Sequence, residues 1–142
     1  MSIKGLIFDL DGVLVDTKKI HFDALNFALK TLNIEQISFK DHLNIYDGLP
    51  TIEKLKILNK KKKLKKKYFK KIVNLKQIKT KFFLNKHLKF NNKIYKTFNK
   101  LSKKYKICIA TNAVNQTLEI CIKKLKLKKF IFKSFSNIDV LN

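Results

Sequence analysis

The chain has 142 residues, 45% of them hydrophobic and twelve of them phenylalanine, which is ample for a packed core and argues against global disorder. Its formal charge is +23, from 33 basic residues against ten acidic. No apolar run approaches the length of a membrane span, and with only Met1 and Ser2 before the first one no signal peptide is expected.

The charge by itself would attract nucleic acid or anionic lipid. All 33 basic residues are lysine, however, and arginine is absent. A surface selected for phosphate or base contacts uses arginine's bidentate fork, so the excess reads as compositional, and no specific nucleic-acid partner is expected. Cys108 and Cys121 have no Cys or His at zinc-ligand spacing and read as reduced, buried thiols. That usage predicts a reducing cytoplasm, and the short apolar runs predict no membrane partner.

In chain order, Ile3 to Phe8 has the apolar run of a buried strand. Residues 17–33 switch to helical period, with Ile20, Ala24, Phe27, Ala28 and Leu32 on one face and Asp16 or Thr17 as cap. Residues 37–51 read as a short helix running into a turn at Asp47-Gly48, with Pro50 as breaker and Thr51 capping the next helix. Across the lysine run 60–71, Leu64, Tyr68, Ile72 and Leu75 keep helical spacing, so the spacing predicts an amphipathic helix with a lysine outer face. Residues 92–105 predict a helix with Ile94, Phe98 and Leu101 inward. A strand follows over 106–112, then a helix over 116–127 and a strand over 130–137. Strands alternating with helices predict a parallel α/β sheet. The long helical block between the first two strands reads as an inserted subdomain.

Ligands of an open parallel sheet bind outside the carboxyl ends of its strands. Asp9 and Asp11 stand at one such end, and Thr111-Asn112 at another, a hundred residues away. Gly12 allows a sharp turn directly after Asp11. A calcium loop needs more oxygen ligands before its glycine, so that reading fails. A sugar-transferase metal motif is only three residues long and has no other support here. Phosphoryl transfer uses one carboxylate on phosphorus and one for protons, with a metal ion neutralising charge and a hydroxyl on the next strand holding a phosphate oxygen.

"FDLDGVLVDT", then "HFDALNFAL", "YDGLPT" and "ICIATNA", resemble the haloacid dehalogenase-like phosphohydrolases. The closest group is the helical-cap one of phosphoglycolate phosphatases and β-phosphoglucomutase. The resemblance implies a Rossmann-like core over 1–16 and 88–142 with an inserted α-helical cap over 17–87. It implies Mg²⁺-dependent hydrolysis of a small phosphomonoester, of phosphoglycolate or sugar phosphate type, through an aspartyl-phosphate; a phosphomutase is the alternative within the family. Asp9 would be nucleophile, and Asp11 general acid and then base. Mg²⁺ would be held by the Asp9 carboxylate and the Asp11 carbonyl. Thr111 and Asn112 would bind phosphate, with Thr17 at the cap hinge and His21 and Gly48 facing substrate. A packed histidine and a plain helix-ending turn account for His21 and Gly48 equally well. His42 and His87 match nothing in the pattern and read as surface residues.

The family's third motif, a lysine, and its fourth, further acidic residues, would follow "SNIDVLN", where the sequence stops. The expectation is therefore a truncated core, with a partner or a continuation supplying missing strands. The rival reading is a non-catalytic remnant that holds a polyanion on its lysine surface.

Overall fold

The computed structural model describes residues 3–61 and 63–139. Three strands, β1 (Gly5–Phe8), β2 (Lys106–Ala110) and β3 (Ile131–Phe135), form one parallel sheet in the order β1-β2-β3. This is the parallel α/β sheet that the alternation of elements predicts, in the Rossmann-like form that the family resemblance implies. Contacts divide the chain into two compact units. The described residues of 1–17 and 84–142 make unit 1, and those of 18–83 make unit 2.

In unit 1, α5 (Asn92–Leu101) leads into β2, and α6 (Asn115–Lys124) carries the chain from β2 to β3. Asn91 starts α5 because its Oδ1 accepts the Ile94 N–H at 3.1 Å. Phe98 is the fully buried face of that helix and packs its ring 5.0 Å from Phe8. Ile107 and Ile109 of β2 are both fully buried, as are Leu118 and Cys121 of α6. Pairing of β2 with β3 slips by one residue after Ile107↔Ile131, so Phe132 has no residue opposite it and is left exposed. Lys106 covers its ring, with Nζ 4.7 Å from the centroid. Ile7 of β1 is 74% exposed, so one side of this strand is bare among the described residues.

Unit 2 is helical: α1 (Lys18–Thr31), α2 (Phe39–Asp41) with a π-helical turn over His42–Tyr46, α3 (Thr51–Lys60) and α4 (Phe69–His87), whose last residues count with unit 1. Its core joins Leu25, Leu29, Tyr46, Leu55, Leu58, Leu64 and Ile72. Asn26 is buried but satisfied. Its amide donates to the Ile37 carbonyl at 2.8 Å and accepts the Ile37 N–H at 2.9 Å, which pins the segment before α2.

Four readings change here. On α1 the buried apolar residues are Ala24, Leu25, Ala28 and Leu29, while Phe27 is exposed, with Lys79 Nζ 4.3 Å from its ring centroid. The apolar stripe is thus rotated toward the leucines. The lysine run is not one helix: α3 ends at Lys60 and α4 begins at Phe69. A continuous helix would stack like charges at i,i+4 with no acid to relieve them. Instead the chain turns back, Asn59 donates to the Leu64 carbonyl at 2.6 Å, and Leu64 is buried. Thr51 is the first residue of α3 rather than its cap, and its hydroxyl takes a hydrogen bond from Lys76 Nζ at 2.8 Å.

The fourth concerns His42, which is fully buried rather than on the surface. Its ring stacks on Phe39 and lies 5.4 Å from that of Phe22, an apolar environment that the isolated residue type did not announce. Burial first, and then the Lys54 ammonium, hold its imidazole below the ordinary histidine value against an opposing pull from Asp47. As pH falls below about 6.5 the unfolded chain takes up this proton before the folded one, so stability drops with acidity until the folded imidazole also titrates. His42→Phe should flatten that acid limb. Denaturant unfolding of both chains between pH 7.5 and 5 checks this, and identical slopes would contradict it.

Candidate active site

The site is set by strand register. Phe8 pairs with Ile109 and Ala110 with Phe135. Asp9, Thr111 and Ser136 are therefore the residues that leave, or follow, the carboxyl ends of three adjacent parallel strands. The register extends to the loops, since the Thr111 N–H donates to the Phe135 carbonyl at 3.0 Å.

The loop after β1 is shaped by its apolar residues. Leu10 is fully buried, and its carbonyl accepts the N–H groups of both Leu14 and Val15 at 3.0 Å. Gly12 turns the chain at φ +80 and donates its N–H to the Val15 carbonyl at 2.8 Å. That angle is one that L side chains rarely adopt. With Leu10 inward, the two carboxylates flank it: Asp9 is exposed and Asp11 half-buried. Asp9 Oδ1 accepts the Leu10 N–H at 2.7 Å, which fixes the carboxylate plane. Asp11 Oδ1 accepts the hydroxyl of Thr17, itself buried, so Thr17 orients Asp11 directly. The negative charge of Asp11 also reaches Cys121. Burial, and secondarily that charge, push the Cys121 thiol up to about 12, so this cysteine is no nucleophile.

After β2, Thr111 Oγ1 accepts the Ala113 N–H at 3.1 Å. A hydroxyl that accepts in this way still has its own proton to donate. Asn112 beside it is exposed.

Of the residues picked out from sequence, Asp9, Asp11, Thr17, Thr111 and Asn112 lie in unit 1, while His21 and Gly48 belong to unit 2. Gly48 has φ +73, and a Cβ there would meet no atom within 4 Å. Inside the chain its role is therefore the turn angle. Sequence reasoning passed over two buried lysines of unit 2, Lys54 and Lys76, because they sit among 33 lysines and composition hides them. It also passed over Ser136 and Asp139 beyond β3. The missing motifs were expected after residue 142, and residues 140–142 themselves lie outside the described residues.

Among the described residues no group of three or more His, Cys, Asp or Glu side chains could hold a metal. Mg²⁺ does not require one, since it keeps several waters and binds through one or two carboxylates plus substrate phosphate. The hard oxygens of Asp9 and Asp11 fit that pattern.

The family model of haloacid dehalogenase-like hydrolases matches residues 6–142. The chain belongs to this family. Its fold is also that of solved members. CbbY from Rhodobacter sphaeroides, solved with phosphate, matches at TM-score 0.83 and 13% identity over 99% of this chain and 66% of that one. A hydrolase from Pseudomonas syringae matches at TM-score 0.78 and 23% identity, over 97% of this chain and 62% of that one. A Thermotoga maritima protein assigned as a β-phosphoglucomutase matches at TM-score 0.72 and 24% identity, covering 99% and 64%. This haloacid dehalogenase-like chain thus spans about 64% of the length of that relative. No curated protein matches it by sequence. Among the described residues no helix is long and apolar enough to cross a membrane.

Proposed function

We propose that this chain carries the nucleophile half of a phosphomonoester hydrolase. The observation that supports this best is the β1–β2 register, which sets Asp9 and Thr111 at the carboxyl ends of neighbouring strands. An exposed carboxylate oxygen of Asp9 attacks phosphorus, and the bond from phosphorus to the substrate's ester oxygen breaks. Asp11, steered by Thr17, gives its proton to that leaving oxygen. Water then attacks the aspartyl-phosphate, Asp11 takes the water's proton, and Asp9 is released with inorganic phosphate. The Thr111 hydroxyl and the Asn112 amide donate to the phosphate oxygens. Mg²⁺, held by the Asp9 carboxylate and the Asp11 carbonyl, would neutralise phosphate charge when bound.

The substrate class proposed is a small phosphomonoester of phosphoglycolate or sugar phosphate type; a CbbY structure from Rhodobacter sphaeroides holds xylulose-1,5-bisphosphate. Phosphoglycolate and the chromogenic 4-nitrophenyl phosphate are the two substrates to compare. Full rates call for strands and charged groups beyond these residues, from a partner or a continuation of the chain. Phosphate release from both substrates, with and without Mg²⁺, tests the activity itself.

A further inference from the structure

Just past β3 the chain makes a closed turn that sequence patterns did not mark. Ser136 is fully buried, and both its N–H and its hydroxyl donate to the same oxygen, Asp139 Oδ2, at 2.7 and 2.8 Å. The Asp139 N–H returns to the Ser136 carbonyl at 3.1 Å. Asn137, inside the turn, donates its N–H to the Ala113 carbonyl at 3.1 Å. Ala113 in turn donates to Thr111 Oγ1, also at 3.1 Å. The Asp139 carboxylate is thus tied to Ser136, the peptide bond joins Ser136 to Asn137, and hydrogen bonds lead on from Asn137 through Ala113 to the Thr111 hydroxyl. The remaining link, the Thr111 N–H on the Phe135 carbonyl, closes the ring between the two loops.

We propose that Asp139 is a positioning residue for the Thr111 hydroxyl. By clamping Ser136 it shapes the turn, the turn holds Ala113 through Asn137, and Ala113 occupies an acceptor site of Thr111 Oγ1. The hydroxyl proton is then directed outward, where an anion's oxygen can accept it. Both bonds to Asp139 are charge-assisted, and the carboxylate is on the surface, so the clamp is strong locally without being part of the core. The inference rests on the reading of Thr111 as a phosphate donor, and the test separates the two.

Amide hydrogen exchange and the affinity for inorganic phosphate in the presence of Mg²⁺ should be measured on the wild-type chain, Asp139→Ala, Thr111→Val and the double variant. Asp139→Ala should speed exchange at Ala113 and Asn137 by about tenfold or more, with Ile107 and Ile109 in β2 unchanged. It should also weaken phosphate binding by roughly tenfold, and this loss should vanish in the Thr111→Val background, because the clamp acts through that hydroxyl. Asp139→Asn, which keeps a neutral acceptor, should recover part of both effects. Unchanged exchange at Ala113 and Asn137 would overturn the clamp. An equal loss of affinity with and without Thr111 would overturn the route through it. Absent phosphate binding in the wild type, with exchange responding as described, would contradict the phosphate reading and leave the clamp standing.

Discussion

Asp9→Asn should abolish phosphomonoester turnover, by on the order of 10⁴-fold or more, and abolish the phosphoenzyme with it. An amide has no anionic oxygen to offer phosphorus, and neither Cys121 nor Asp11 is suited to replace it. Cys121 is buried with its thiol pushed up to about 12, and Asp11 is already engaged by Thr17. The substitution should barely touch stability, because Asp9 is exposed and an asparagine Oδ1 can still accept the Leu10 N–H. Unfolding curves that superimpose on wild type, beside lost turnover, would separate a chemical effect from a structural one.

Asp11→Asn carries the second largest expected effect and a different signature. General acid–base catalysis contributes about 10²–10⁴-fold, so turnover should fall within or beyond that range. Phosphoryl transfer to Asp9 from a substrate with a good leaving group should persist at reduced rate, because 4-nitrophenolate leaves without a proton. Dephosphorylation needs a base and should slow more, so phosphoenzyme should accumulate. Rapid-quench sampling of the acid-precipitated protein distinguishes these steps. A variant that turns over normally, or that never labels with 4-nitrophenyl phosphate while wild type does, would contradict the assigned role.

The parts legible in the sequence are those set by local chemistry. The apolar run before Asp9, the strand "KICIA" before Thr111 and the helix leading into it follow from burial and spacing, and each appears in the fold. The pairing of two polar clusters a hundred residues apart was readable because parallel strands must share a rim. What escaped depended on tertiary surroundings. His42 is buried by Phe22 and Phe39, neither of which marks a histidine site in a linear pattern. The break between α3 and α4 lies in the lysine run, where a continuous helix would stack like charges, and Leu64 is buried within it. Lys54 and Lys76 are chemically unlike the other lysines through burial alone. Ser136 and Asp139 are ordinary polar residues until the strand beside them places their turn against the Thr111 loop.

The central claim is that Asp9 becomes covalently phosphorylated. The most direct measurement is mass spectrometry of the chain quenched in acid after mixing with Mg²⁺ and 4-nitrophenyl phosphate, followed by peptide mapping. The account predicts one added phosphoryl group, confined to the peptide that contains Asp9, present in Asp11→Asn and absent in Asp9→Asn. Phosphoryl found on another residue, or undiminished labelling and turnover in Asp9→Asn, would contradict it.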